Sequence, residues 1–370
     1  MKNNRRGSGR GVAGALLTLL LGTAAFAEGP AISGYVDTQY GYNFNKPITG
    51  FTNLRSYDSQ DNNIANTAHL SLTGALDGGA SYVIDLDAGH DVATSVGGTS
   101  SAVALQEAYL TWVSEATKIG IKAGKFVTYE GIEVIETNAN PTISRGYLFG
   151  LAEPFTHVGG VVTYTAGKLD FAAGVVNGWD QANDNNKGKT LVGKVGLNLG
   201  DTAMVTLSGY HGPEQSAVIS STTSLPIDQR NGANRDSIDL TLMTKLIPKV
   251  DLWLQGNIGT EKQAIDTNGD GTLDRASWSG FAVEPLVHVS DKFTVGARGE
   301  YFYDKNGART GVANNAVSNF TITPGYMLTK NVQVRAEYRY DKSNKKIWVN
   351  DSGSAKDNTS TTALQFVVTF

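Results

Sequence analysis

Asn331-Val332-Gln333-Val334-Arg335-Ala336-Glu337-Tyr338-Arg339-Tyr340-Asp341 alternates without a break. Val332, Val334, Ala336, Tyr338 and Tyr340 fall on one face, and Gln333, Arg335, Glu337 and Arg339 on the other. Period 2 is the repeat of a strand, whose successive side chains point to opposite sides; a helix would scatter both sets around its circumference. The alternation alone suits two architectures. A soluble sandwich would turn the valine and tyrosine face inward, whereas a membrane barrel would turn it towards lipid.

The same rhythm recurs along the chain. Strands are expected near 31–44, 65–76, 80–90, 104–114, 117–127, 157–166, 168–178 and 190–199. The series continues near 202–211, 235–246, 249–260, 276–288, 291–303, 317–328, 330–341 and 361–370, about 16 in all, an even number of the kind bacterial barrels use. Alternate connections are tight and carry hairpin chemistry: Asp77-Gly78-Gly79, Ser114-Glu115-Ala116, Ala166-Gly167-Lys168, Gly200-Asp201, Ile247-Pro248-Lys249, Ser290-Asp291 and Thr329-Lys330. The intervening ones are long and polar, such as 45–64, 212–234, 261–275 and 342–360. Short turns at one end and long loops at the other are the periplasmic and extracellular ends of an outer-membrane barrel.

Both termini agree with export. Lys2, Arg5, Arg6 and Arg10 precede an apolar run from Val12 to Phe26, and Ala25-Phe26-Ala27 is a small-x-small cleavage pattern, so residues 1–27 read as a signal peptide and 28–370 as the barrel. Cysteine is absent, which excludes a disulfide framework and lipoprotein acylation. The last strand places Leu364, Phe366, Val368 and Phe370 on one face; Phe370 reads as the signal by which barrel assembly machinery takes up a C-terminal strand. Tyr40, Tyr42, Phe44, Tyr301, Tyr303 and Trp112 stand where strand ends meet the membrane interfaces.

Composition fits. Hydrophobic content is 40%, glycine (43) and tyrosine (15) are abundant, and no second apolar run could form a membrane helix, as expected when half of each strand faces water. Residues 28–370 carry 27 Lys+Arg against 35 Asp+Glu, a net charge of −8, which argues against nucleic acid as a partner and leans mildly towards cations.

A barrel of about 16 strands encloses water rather than packed side chains. Alternation assigns to its wall the acids Asp37, Asp85, Asp87, Glu107, Asp239, Glu284, Glu300 and Glu337. It assigns there too the bases Lys122, Lys194, Arg298, Arg335 and Arg339, together with His69. Rings of such charge tune selectivity. The third long connection, 128–156, is unlike the others: Tyr129, Ile132, Val134, Ile135, Tyr147, Leu148, Phe149, Leu151 and Phe155 do not suit an exposed loop, so it is expected to fold inward. Glu130, Glu133 and Glu136 recur at i, i+3, i+6, which a short helical turn would place on one side. With Arg145 they form a candidate constriction, acids facing Arg298, Arg335 and Arg339 across a narrowed lumen.

A resemblance runs through the same region. Gly124-Lys125-Phe126, Glu133-Val134-Ile135-Glu136, Asn140-Pro141, Ser144-Arg145-Gly146-Tyr147-Leu148-Phe149, Glu153-Pro154-Phe155-Thr156-His157-Val158-Gly159 and Val176-Asn177-Gly178-Trp179-Asp180 look like the beta-barrel porin type 2, or OmpL-like, family of bacterial outer-membrane proteins. The match is strongest over 120–190. It implies a porin: an all-β, transmembrane antiparallel barrel passing ions and small hydrophilic solutes by passive diffusion. Outer-membrane lipid and lipopolysaccharide are the expected surroundings, and a homotrimer is expected by analogy with barrels of this size.

Other chemistries have weaker support. Asp266, Asn268, Asp270 and Asp274 have the spacing of the first half of a calcium loop, with Ser277 where a bidentate Glu would stand, so structural Ca²⁺ in an extracellular loop is the one cofactor the sequence suggests. The five histidines show no metal-ligand spacing and there is no G-x-S-x-G elbow. A surface adhesin or receptor barrel with a narrow lumen is the main alternative. An outer-membrane lipase, for which His69 and Ser71 share a face, is a more remote one.

Overall fold

A computed structural model describes residues 29–58, 60–90, 103–215, 232–266, 269 and 272–370. The first strands are β1 (Ala31–Asn43), β2 (Asn63–Ala75), β3 (Ala80–Gly89), β4 (Val103–Val113), β5 (Ile119–Val127) and β6 (Thr156–Ala166). They are followed by β7 (Leu169–Val176), β8 (Thr190–Asn198), β9 (Ala203–Pro213), β10 (Asn234–Ile247), β11 (Val250–Ile265) and β12 (Asp274–His288). Then come β13 (Phe293–Asp304), β14 (Asn315–Met327), β15 (Val332–Ser343), a two-residue pair β16 (Trp348–Val349) and β17 (Ala355–Lys356), and finally β18 (Asn358–Thr369).

Each strand from β1 to β15 pairs antiparallel with its neighbour in sequence, and β18 closes the ring between β15 and β1. The sixteen long strands thus form one closed barrel, and β16 and β17 form a separate hairpin in the last long loop. Closure pairs every edge, the condition for taking sheet backbone into a bilayer. Phe370 lies at that seam, exchanging hydrogen bonds with Gly34 of β1 at 3.0 and 3.1 Å.

The charged-versus-apolar question left open by β15 is answered by burial. Arg335, Glu337 and Arg339 are 4%, 4% and 0% exposed, while Tyr338 and Tyr340 on the other face are 43% and 40% exposed. Leu364 and Phe366 on β18, Leu240 on β10 and Phe320 on β14 are exposed too. A soluble fold would reverse this. A continuous apolar outer band is far larger than the patch a soluble monomer tolerates, and it matches a lipid-facing surface. Aromatics gather at the strand ends as expected. Tyr42 meets Phe44 edge to face at 5.3 Å at the long-loop end. At the short-turn end Trp112 Nε1 donates to Gly78 O at 2.9 Å.

The strand assignments agree within four residues except at the end of β11, which runs on to Ile265. All the proposed wall residues lie on the inward face. Residues 1–28, and with them the signal peptide, lie outside the described residues.

Candidate functional site: the loop-lined lumen

The connection between β5 and β6 turns into the barrel and lies against the inner wall of β10 to β15. Carboxylates projecting from that wall accept its backbone N–H groups. Glu300 takes Tyr147 N–H and Leu148 N–H, both at 2.6 Å. Glu337 takes Ile143 N–H at 2.6 Å and Ser144 N–H at 3.2 Å, and Asp239 takes Gly131 N–H at 3.1 Å. Arginines bind its carbonyls in turn. Arg335 donates to Asn140 O and Thr137 O, both at 2.8 Å, and Arg339 to Arg145 O at 2.6 Å. An irregular backbone is tolerated at membrane depth only where its polar groups are satisfied in this way.

Two wall glycines set how closely the loop sits. A Cβ at Gly296 on β13 would lie 1.9 Å from Pro141 O, and one at Gly280 on β12 would lie 2.8 Å from Leu148 Cδ1. Apolar loop residues complete the docking: Ile132, Tyr147, Leu148 and Ala152 pack with Trp253, Trp278, Phe302 and Trp348 in one buried cluster. The first long loop adds a second layer. Arg55 pairs with Asp58 at 2.6 Å and with Asp341 at 3.1 Å, and Asp58 accepts Arg145 N–H at 3.1 Å. Burial by itself would raise the Asp58 carboxyl, but Arg55 and Arg339 outweigh it and hold Asp58 below the usual carboxylate range.

The arrangement of the loop acids differs from expectation in two respects. Residues 130–136 form no helical turn; the short helical segments are Thr137–Ala139 and Leu148–Ala152. The three glutamates consequently do not share a side. Glu130 accepts from Ser237 Oγ on β10 at 2.5 Å, Glu133 pairs with Arg298 on β13 at 2.7 Å, and Glu136 accepts from Gln106 Nε2 on β4 at 2.5 Å. Nor do they face the arginines across water. Glu133 is in direct, buried contact with Arg298, while Arg335 and Arg339 hold loop carbonyls, and the Arg145 guanidinium donates to Ile135 O of its own loop. Burial raises the Glu133 and Glu136 carboxyls, and burial with the nearby Asp239 pushes Glu130 well above its ordinary range.

Elsewhere on the wall, Asp37 accepts from Gln365 Nε2, Asp87 binds His69 Nδ1 at 2.9 Å, and Glu107 accepts Val127 N–H at 2.7 Å. Asp85 is buried on β3 beside Glu107 on β4, its paired residue across the strands. The wall from β4 to β8 is mixed: Gln106, Phe126, Val161, Ala172 and Val192 are buried there. Tyr109, Thr111, Lys122, Thr163, Asp170 and Lys194 all keep contact with solvent. Sequence reasoning missed Arg55, Asp58, Gly280 and Gly296, because nothing in an isolated polar loop or a strand glycine announces a partner across the barrel.

In the calcium-like stretch, Asn268 and Asp270 lie outside the described residues. Asp266 Oδ1 accepts Gly269 N–H at 2.7 Å, and Asp274 begins β12 opposite Ile265. Among the described residues no group of three or more His, Cys, Asp or Glu is placed to hold a metal.

At the long-loop end, Glu214 accepts Trp179 N–H at 2.8 Å and the Thr190 hydroxyl. Burial raises its carboxyl to about 7, against the pull of Arg235. An acid raised in the folded state favours folding while protonated; the penalty begins above its unfolded value near 4.5 and is complete above about 7. After correction for intrinsic rates, Trp179 amide exchange is expected to be about tenfold faster at pH 8 than at pH 5. The Glu214→Gln variant should lose that difference; if it keeps the full pH dependence, the assignment to Glu214 is wrong.

No relative was found among curated protein sequences. Solved structures share the architecture at low identity. The outer-membrane channel DcaP of Acinetobacter baumannii superposes with a TM-score of 0.63 at 12% identity, covering 92% of this chain and 97% of that one. An anion-selective porin from Comamonas acidovorans gives 0.61 at 11%, covering 92% and 99%. OmpT of Vibrio cholerae gives 0.58 at 13%, covering 92% and 97%. These likenesses show the fold. The model of the family described as Putative beta-barrel porin-2, OmpL-like, matches residues 30–370, nearly the whole barrel. The chain belongs to that family, and it is an outer-membrane porin, a channel for the diffusion of small solutes.

Proposed function

We propose that the bore of this porin is set by the third loop, and that solutes pass by diffusion with selectivity given by size and lumen charge and with no covalent step. The observation that carries this reading is the docking of residues 130–148 on the wall through Glu133 and Arg298, Glu300 and Glu337. Replacing residues 132–152 with a short Gly-Ser linker is expected to raise single-channel conductance in planar bilayers about twofold, because conductance scales with the open cross-section. Unchanged conductance would sink the constriction role.

The same reading takes residues 1–27 as a cleaved export signal and Phe370 as the assembly signal. Three barrels associate as a homotrimer in a bilayer whose outer leaflet is lipopolysaccharide. Vibrio cholerae OmpT, one of the structural relatives, occurs in a trimer form. A second reading, a receptor barrel with a closed lumen, is favoured by the depth at which the β10 to β15 wall is buried. A correctly folded protein that gives no conductance steps would select it.

A further inference from the structure

We infer that Lys122 and Lys194 form an anion subsite in the lumen, one that takes small carboxylate solutes. The inference rests on the channel reading and deepens it by naming the class of solute. Lys122 is the fourth residue of β5, counted from its short-turn end, and Lys194 the fifth of β8, counted from the same end, so the two stand at similar depth on one stretch of wall. Between them the register places Val161 and Ala172, short and buried side chains that offer neither lysine a polar partner. Both ammonium groups approach the ring of Tyr129, the first aromatic of the third loop: Lys194 Nζ lies 5.4 Å and Lys122 Nζ 5.8 Å from its centroid. Lys122 also lies 4.4 Å from the ring of Tyr109.

Two features make this a site rather than a pair of solvated lysines. The first is contrast with the other lumen cations: Arg298, Arg335 and Arg339 are 0–4% exposed and committed to the third loop, whereas both lysines keep contact with solvent. Neither ammonium makes a hydrogen bond or ion pair with the described protein. The second is that the nearest acids, Glu107 and Asp170, act on the lysines from a distance and form no ion pair with either ammonium. Glu107 accepts Val127 N–H at 2.7 Å, and Asp170 accepts from Thr165 Oγ1 at 3.5 Å. Aromatic faces hold the ammonium groups in place by cation–π attraction without neutralising them, so the positive charge stays available to a passing anion. A carboxylate in front of Tyr129 is within reach of both lysines, and the ring offers its apolar body a surface.

The test is recording from wild type and from K122Q, K194Q and K122Q/K194Q in planar bilayers, with reversal potential under a potassium chloride gradient and with succinate added as a competing anion. Wild type is expected to prefer chloride over potassium and to lose chloride current as succinate rises. The double variant should lower the chloride-to-potassium permeability ratio by about threefold to tenfold and weaken the succinate effect to a similar degree, with K122R/K194R restoring both. Open channels in the double variant with the ratio and succinate effect of wild type would overturn the subsite while leaving the channel intact. A folded wild type that never conducts would overturn the channel reading and the subsite with it. Heat-modifiable migration on gels confirms that each variant has folded.

Discussion

Replacing Arg298 with methionine is expected to release the third loop from the wall and leave the barrel closed. The guanidinium sits between strand and loop: Nη1 donates to Glu133 at 2.7 Å, to Thr142 Oγ1 at 2.9 Å and to Ser144 O at 2.6 Å, Nη2 to Ser144 Oγ at 3.0 Å, and Nε to Asn319 at 3.1 Å. Methionine fills much of the volume and makes none of these bonds. It also leaves Glu133 a buried charge without its partner, and breaking such a pair costs about 3–5 kcal/mol. The loop and the wall share this energy, while the strand ladder does not. Exchange of the Ile143, Ser144, Gly146, Tyr147 and Leu148 amides, which bond to Glu337, Glu133 and Glu300, should therefore accelerate by about a hundredfold or more. Strand amides should hold their protection. Glu133→Gln added to Arg298→Met should cost less than the two changes made separately, since they act on one contact. Equal acceleration across loop and strands would mean that Arg298 supports the barrel and not the loop.

The opposite sign is expected at Glu284. Its carboxylate is fully buried on β12, and neither oxygen has a hydrogen-bond partner. The Arg298 charge acts on Glu133, Glu284 and Glu300 together, and its hydrogen bond to an acid goes to Glu133, so the group holds more acids than one guanidinium can pair. Burying a carboxyl whose oxygens make no hydrogen bond costs several kcal/mol, and replacing it with an apolar chain of similar length is expected to stabilise the protein by about 1–3 kcal/mol. In the gel assay that separates folded from unfolded barrels by migration, Glu284→Met should raise the conversion temperature by about 3 °C or more. The gain should be larger in the Arg298→Met background, where the surplus of negative charge is greater. A fall in conversion temperature would show that Glu284 has a stabilising partner.

The barrel was legible because lipid imposes a local rule. Every strand must alternate, so each can be recognised from about ten residues of its own sequence. Where the rule lapses, recognition lapses too. Thr260-Glu261-Lys262-Gln263 is polar on both faces, so the last turn of β11, which includes a register shift after Glu261 and a left-handed Gln263 (φ 50°), reads as loop. Asn358-Thr359-Ser360 hides the start of β18 for the same reason, and β16 and β17 are too short to have a period. The inward course of the third loop was visible in its apolar content, but its partners were not. Glu133 and Arg298 are 165 residues apart, and period 2 states which face a side chain occupies, not which other inward residue it will meet. A helical periodicity in three glutamates was a coincidence of spacing; once wall carboxylates take the loop's N–H groups, its backbone follows the wall.

Docking the loop on one side divides the wall into two populations of residues. Inward positions on β10 to β15 behave as the core of a water-soluble protein would, where a change of volume or charge disturbs several neighbours. The inward positions on β4 to β8 that touch solvent, Tyr109, Thr111, Lys122, Thr163, Asp170 and Lys194, answer mainly to what passes them. Evolution and engineering can therefore rewrite the second set at little cost to folding, so a barrel of this construction can change its diet without rebuilding its body.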